Sequence, residues 1–170
     1  MFFPSNNELI VNFGNFKAGN NWIVVNDGVM GGESNSKATI LENSLLFDGN
    51  ISLENNGGFA SIRSELTNVD LSNTESVTIK YRSEGKNIGL RLLKEERFYF
   101  PYLKTNLQPT NWEWTTEVIQ MNQFLEYRLG KETNKQLTDK DFRDIIRIGL
   151  IATDKSEGQF KIEIDYIKFN

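Results

Sequence analysis

The chain has 170 residues, no cysteine, no histidine and a formal net charge of −4 from 23 acidic and 19 basic side chains. Disulfides, thiolate nucleophiles, Cys/His zinc sites and histidine-dependent triads are therefore excluded, and a metal would have to be a hard, oxygen-liganded ion such as calcium, for which no motif speaks. The acidic balance argues against a generic nucleic-acid or anionic-membrane binder, while 38% apolar content with 12 Phe, 5 Tyr and 3 Trp suits one core, so a single domain over 1–170 is expected.

The opening, MFFPSNNELIVNF, lacks the basic start and apolar run of a signal peptide. No stretch approaches the roughly 20 apolar residues that span a bilayer. A cytoplasmic protein without a transmembrane segment is the expectation.

Short alternating segments then follow one another. Glu8–Phe13 and Trp22–Val25 read as strands, as do Lys37–Ile40 and Ser44–Phe47 around a tight Glu-Asn turn. Gly58–Arg63, Ser76–Tyr81, Asn87–Leu93, Arg97–Leu103, Trp112–Ile119, Asp144–Ala152 and Gln159–Ile164 continue the series, rich in the β-branched and aromatic residues that a sheet surface prefers. Helix is scarce: Met121–Leu129 predicts a turn or two, and Thr138–Asp144 a short helix capped by Thr138 or Asp139. Neither could cover a parallel sheet. In the last strand the apolar parity of Phe160, Ile162 and Ile164 slips by one at Ile167 and Phe169, as a β-bulge would cause. The fold class is all-β, a sandwich or barrel.

Two loops stand out. In Asn26-Asp27-Gly28-Val29-Met30-Gly31-Gly32-Glu33-Ser34, turn signals flank an apolar pair. Asp27 either satisfies the loop's own amides or, with Asn26, faces a ligand or calcium. The second, Asn55-Asn56-Gly57-Gly58, runs straight into the strand Phe59-Ala60-Ser61-Ile62-Arg63. Neither Gly-Gly pair leads into a helix or a Gly-Lys-Ser/Thr, so neither is a phosphate loop.

Together with Trp22, the segments Asn26–Ser34 and Asn56–Arg63 resemble the hallmark of the complex I intermediate-associated protein 30 (CIA30) family. The resemblance continues through Trp112, Val118-Ile119, Phe124, Arg128 and Gly130 to Ile148-Gly149-Leu150, Asp154, Gly158, Phe160 and Ile164. It implies a galactose-binding domain-like jelly-roll β-sandwich with one or two short helices. It also implies a protein-binding assembly or chaperone-like factor, whose partner would be an assembly intermediate of NADH:ubiquinone oxidoreductase. The same sandwich resembles carbohydrate-binding modules, which take oligo- or polysaccharide.

Candidate ligand or partner contacts are Asn26, Asp27, Arg63, Arg91, Tyr99, Tyr102, Trp112 and Trp114. Arg91 shares parity with Gly89 and Leu93, so it faces outward if Leu90 and Leu92 face the core. Rings and guanidinium groups suit a pyranose, and equally a protein hot spot. Arg63 has the alternative of pairing with Glu54 or Asp27. Trp112 and Trp114 share a face, both buried or both displayed, with the start of an alternating strand favouring core. Asp27, Glu54 and Asp154 could serve hydrolysis only if the fold joined two of them; nothing in the sequence does, so a non-catalytic domain without a cofactor is expected.

Overall fold

Period-two alternation sorts the chain into two antiparallel sheets that share one apolar interior. The computed structural model describes residues 3–5, 8–14 and 21–170. Sheet A contains β1 (Phe3–Ser5), β2 (Glu8–Asn12), β4 (Asn35–Ile40), β5 (Leu45–Ile51), β7 (Ser76–Glu84), β10 (Thr115–Gln120) and β14 (Gly158–Phe169). Sheet B runs in the order β12 (Lys131–Glu132), β11 (Leu125–Arg128), β9 (Tyr102–Asn106), β8 (Ile88–Leu93), β13 (Arg147–Ala152), β6 (Ala60–Arg63) and β3 (Ile23–Asn26). This is a jelly-roll β-sandwich, the fold class expected.

Inward parity is kept strictly where the sheets face each other. Leu90 and Leu92 of β8, Ile148 and Leu150 of β13, and Ile62 of β6 are buried against Phe47, Tyr81, Ile79 and Ile164 of sheet A. Phe47 and Phe160 meet edge to face at 4.9 Å, the arrangement that the ring quadrupoles favour. The 12-residue β14 is the spine of sheet A: β7 pairs along one edge, while β5 and then β2 share the other. The phase slip expected in this strand is present. Ile164 pairs with Tyr81 and Tyr166 with Lys80, leaving Asp165 as the extra residue. Its carbonyl accepts from the Phe13 amide at 2.9 Å, so the bulge is tied to the start of the sandwich.

The two expected helices are shorter than the sequence suggests. Only Met121–Gln123 makes a 3-10 turn, with Gln120 and Gln123 forming a reciprocal cap. Phe124 then turns extended and buries its ring against Phe142, and Leu125–Arg128 becomes β11, paired with β9. The second is a 3-10 turn at Asp139–Phe142, capped by Thr138 with Asp141. The stretch expected to be strand from Arg97 begins only at Tyr102; residues 94–101 are loop. No helix among the described residues is long and apolar enough to cross a membrane.

Candidate functional site

The two glycine-bearing loops converge on one carboxylate. Asp27 opens the 3-10 turn Asp27–Met30 and is 1% exposed. Its Oδ1 accepts from the Ser34 amide at 3.0 Å, and its Oδ2 from the Gly58 and Phe59 amides at 2.7 and 3.2 Å. Burial by itself would raise the Asp27 carboxyl, but the hydrogen bonds from Ser34, Gly58 and Phe59 outweigh it and hold it below the ordinary carboxylate value. Around this latch, Ser34 Oγ donates to the Ser52 carbonyl and accepts from the Ser52 amide, and Ser36 Oγ donates to Asn26 Oδ1 at 2.7 Å.

The glycines make room for the carboxylate. A β-carbon on Gly32 would stand 2.4 Å from Asp27 Cγ, and one on Gly57 would stand 2.7 Å from Asp27 Oδ2. Gly32→Ala is therefore expected to displace the carboxylate from its three amides. A loss of about 2 kcal/mol or more in denaturant unfolding is expected; a wild-type midpoint would show that the loop yields instead. Asp27 thus binds the two loops to each other, and Asn26 ties the first of them to β4.

The latch sets one wall of an open cleft of about 350 Å³ on the outward face of sheet B. Val29 and Met30 of the 3-10 turn, with Leu53 and Phe59, form that wall; Arg97, Phe98, Phe100 and Leu129 form the other. The floor follows from strand register. Arg63 of β6 pairs with Gly149 of β13, Gly149 with Arg91 of β8, and Arg91 with Lys104 of β9. With strands about 4.8 Å apart, three cations cross the floor, and Gly149 leaves the gap between the arginines without a side chain. One register step along, Leu93 pairs with Tyr102 and Tyr102 with Tyr127. The two tyrosine rings lie nearly parallel, 17° apart, with Arg91 over Tyr102 and Lys104 over Tyr127.

The charge on this floor is not neutralised from within. The two acids at the cleft pair with arginines outside this row: Glu95 with Arg97 of the wall at 2.8 Å, and Glu96 with the buried Arg147, whose Nε donates at 2.8 Å. Arg63 reaches only the Glu96 carbonyl, at 3.4 Å, and pairs with neither Glu54 nor Asp27. Arg91 is 9% exposed, and its buried Nε finds no acceptor among the described residues. Burial pushes Arg91 down to about 10, opposed by Tyr102 and helped by Arg63. Lys104 is lowered by burial and then by Arg91, and Arg63 by burial and then by Arg147 against a pull from Glu96.

Of the residues singled out in the sequence, Arg63, Arg91 and Tyr102 line this cleft. Tyr99 sits in the loop beside it, with Arg97 5.7 Å over its ring. Trp112 and Trp114 are elsewhere, displayed together on the outer side of sheet A, contrary to the core reading of Trp112. Lys161 and Arg82 cover Trp112 at 4.0 and 4.4 Å, and Arg82 and Lys80 flank Trp114. A left-handed φ of 65° at Trp112, with its amide bonded to the Ser83 carbonyl, turns the chain so that the ring lies outside. Each of these cations has a carboxylate: Arg82 with Glu163, Lys80 with Asp165, Lys161 with Glu84. Sequence reasoning missed Lys104, Arg97, Phe98 and Phe100. Lys104 was within reach, two residues after Tyr102 and hence on its face.

The sandwich is shared with solved structures at low identity. A family 11 carbohydrate-binding module of a cellulosomal cellulase of Clostridium thermocellum superposes with a TM-score of 0.65 at 16% identity, covering 93% of this chain and 92% of that one. A family 11 module from the same organism, in complex with a β-1,3-1,4-mixed-linked tetrasaccharide, gives 0.64 at 16% identity over 95% and 94%. A variant of a family 29 carbohydrate-binding module gives 0.53 at 10% identity over 96% and 91%. No curated protein matches the chain significantly. The model of the complex I intermediate-associated protein 30 family matches residues 11–164, a span that holds the Asp27 latch, all of sheet B and the cleft, and the chain belongs to that family.

Proposed function

We propose that this is a non-catalytic binding domain that takes a saccharide in the cleft on sheet B. The observation that carries the reading is the cleft itself: an open trough floored by Arg91 and Tyr102 and walled by Phe98 and Phe100. Rings offer apolar faces to the C–H side of a pyranose, and guanidinium forks donate to its hydroxyls. Occupation of Glu95 and Glu96 by arginines supports binding over hydrolysis, which needs a pair of carboxylates available to the glycosidic bond. The shared sandwich with carbohydrate-binding modules agrees with it.

Affinity electrophoresis in gels cast with individual soluble polysaccharides tests this reading. Retarded migration in at least one polysaccharide, relieved by Tyr102→Ala, is expected. Unretarded migration across neutral and acidic polysaccharides alike would refute it.

One observation favours a second reading, a protein partner such as a respiratory-complex assembly intermediate. The cleft rim is apolar on both sides, with Val29 66% and Phe98 62% exposed. Exposed apolar groups grouped in this way mark protein-interaction surfaces. Capture of a defined respiratory-complex subunit by the domain, abolished by Phe98→Asp and kept by Tyr102→Ala, separates this reading from the first.

A further inference from the structure

Two rows of cations, one on the outer side of each sheet, differ in their partners. On sheet A, Lys80, Arg82 and Lys161 each meet a carboxylate. In the cleft on sheet B, Arg63, Arg91 and Lys104 form no ion pair among the described residues, Arg63 feeling only the Glu96 carboxylate that Arg147 already holds, although the chain as a whole carries a charge of −4. A buried guanidinium is costly unless it is paired and hydrogen-bonded. Arg91 is the extreme case: buried in the floor, its Nε without an acceptor, and two further cations in the same register row.

A neutral sugar could offer hydroxyls to the part of the Arg91 guanidinium that lines the cleft. It would leave the charge uncompensated and the repulsion within the row intact. An anion relieves both, and a carboxylate or sulfate oxygen matches the donor fork of an arginine. The cleft is open enough for the group to enter while attached to a ring that rests on the Phe98 and Phe100 wall.

We propose that the cleft selects an anionic saccharide, one bearing a uronate carboxylate or a sulfate ester, and seats the anion on Arg91 between Arg63 and Lys104. The inference rests on the saccharide reading above and adds the charge of the ligand to it. A neutral glycan leaves Arg91 unsatisfied; an anionic one completes the site.

Calorimetric titration with chemically matched pairs tests it: oligogalacturonate against its methyl ester, and sulfated against unsulfated galactan oligosaccharides, with polyglutamate alongside. The acidic member of one pair should bind at least about ten-fold more tightly than its neutral partner, and which pair responds identifies carboxylate or sulfate. That preference should weaken as salt is raised. Arg91→Met should lose roughly 30-fold or more, the scale for truncating one partner of a buried charge pair. Lys161→Met removes a positive charge from the opposite sheet and should bind as wild type; equal loss in both variants would mean that net charge alone attracts the ligand, and would overturn the site. Equal affinity for acidic and neutral members would overturn the anion and leave the saccharide reading standing. Binding of polyglutamate without any saccharide would overturn both in favour of an acidic protein segment, and no binding of any probe would overturn the anion site, the polysaccharide panel above then deciding the saccharide reading.

Discussion

Replacing Asp27 with asparagine is expected to lower the thermal unfolding midpoint by roughly 5–10 °C, for a loss of about 2–3 kcal/mol. The substitution conserves volume, so the effect isolates hydrogen bonding. Both carboxylate oxygens accept: one from Ser34, the other from Gly58 and Phe59. An amide has only one accepting oxygen. Whichever way it is turned, its NH2 faces at least one backbone N–H in a site that is 1% exposed. Acid should narrow the difference between the two proteins. The folded-state carboxyl lies below its ordinary value of 3.8, so its contribution is complete above that value and is lost as pH falls through the lower, folded-state one. Asparagine does not titrate. Unfolding curves of both proteins from neutral pH down to about 3 test this; a gap that stays constant with pH would refute the charge-based account.

Arg91→Met should do the opposite, raising stability while removing binding. Methionine keeps the unbranched stem and discards a charge that the fold buries without a counterion. Replacing uncompensated buried charge with apolar volume is commonly stabilising; a gain of about 1 kcal/mol, or about 2–4 °C, is expected. The guanidinium stacks 5.4 Å from the Tyr102 ring centre, and loss of that contact works against the gain. A lower midpoint in the variant would mean that the stacking outweighs desolvation and that Arg91 is a structural residue. A higher midpoint together with lost affinity is the signature of a position kept for its ligand at a cost to the fold.

The fold was largely legible because burial imposes parity. Phe160, Ile162 and Ile164 against Ile167 and Phe169 placed both the last strand and its bulge from spacing alone, and Leu90 and Leu92 placed Arg91 on the outward face. The site was legible only in part, because it is assembled across strands. Nothing in one dimension shows that Arg63, Gly149, Arg91 and Lys104 share a register row; that requires the β6–β13–β8–β9 order. Trp112 misled because strand propensity speaks for a buried ring, whereas a left-handed turn before β10 put it outside. Asp27 stood out for its neighbouring glycines. Their reason is steric, since Gly32 and Gly57 leave room for its carboxylate, and no local pattern distinguishes that from a ligand loop.

The place of β14 in sheet A bears on how the protein is made. Every strand that it pairs with, β2, β5 and β7, precedes it in the chain. During synthesis the β4–β5 hairpin and the β7–β10 pair can form early, yet they stay separated until residues 158–169 leave the ribosome. Until then the edges of β5 and β7 are open to pairing with another chain. The long sequence separation between β2 and β14 adds a slow closure to the last step. Chains truncated before β14 should therefore be the aggregation-prone species.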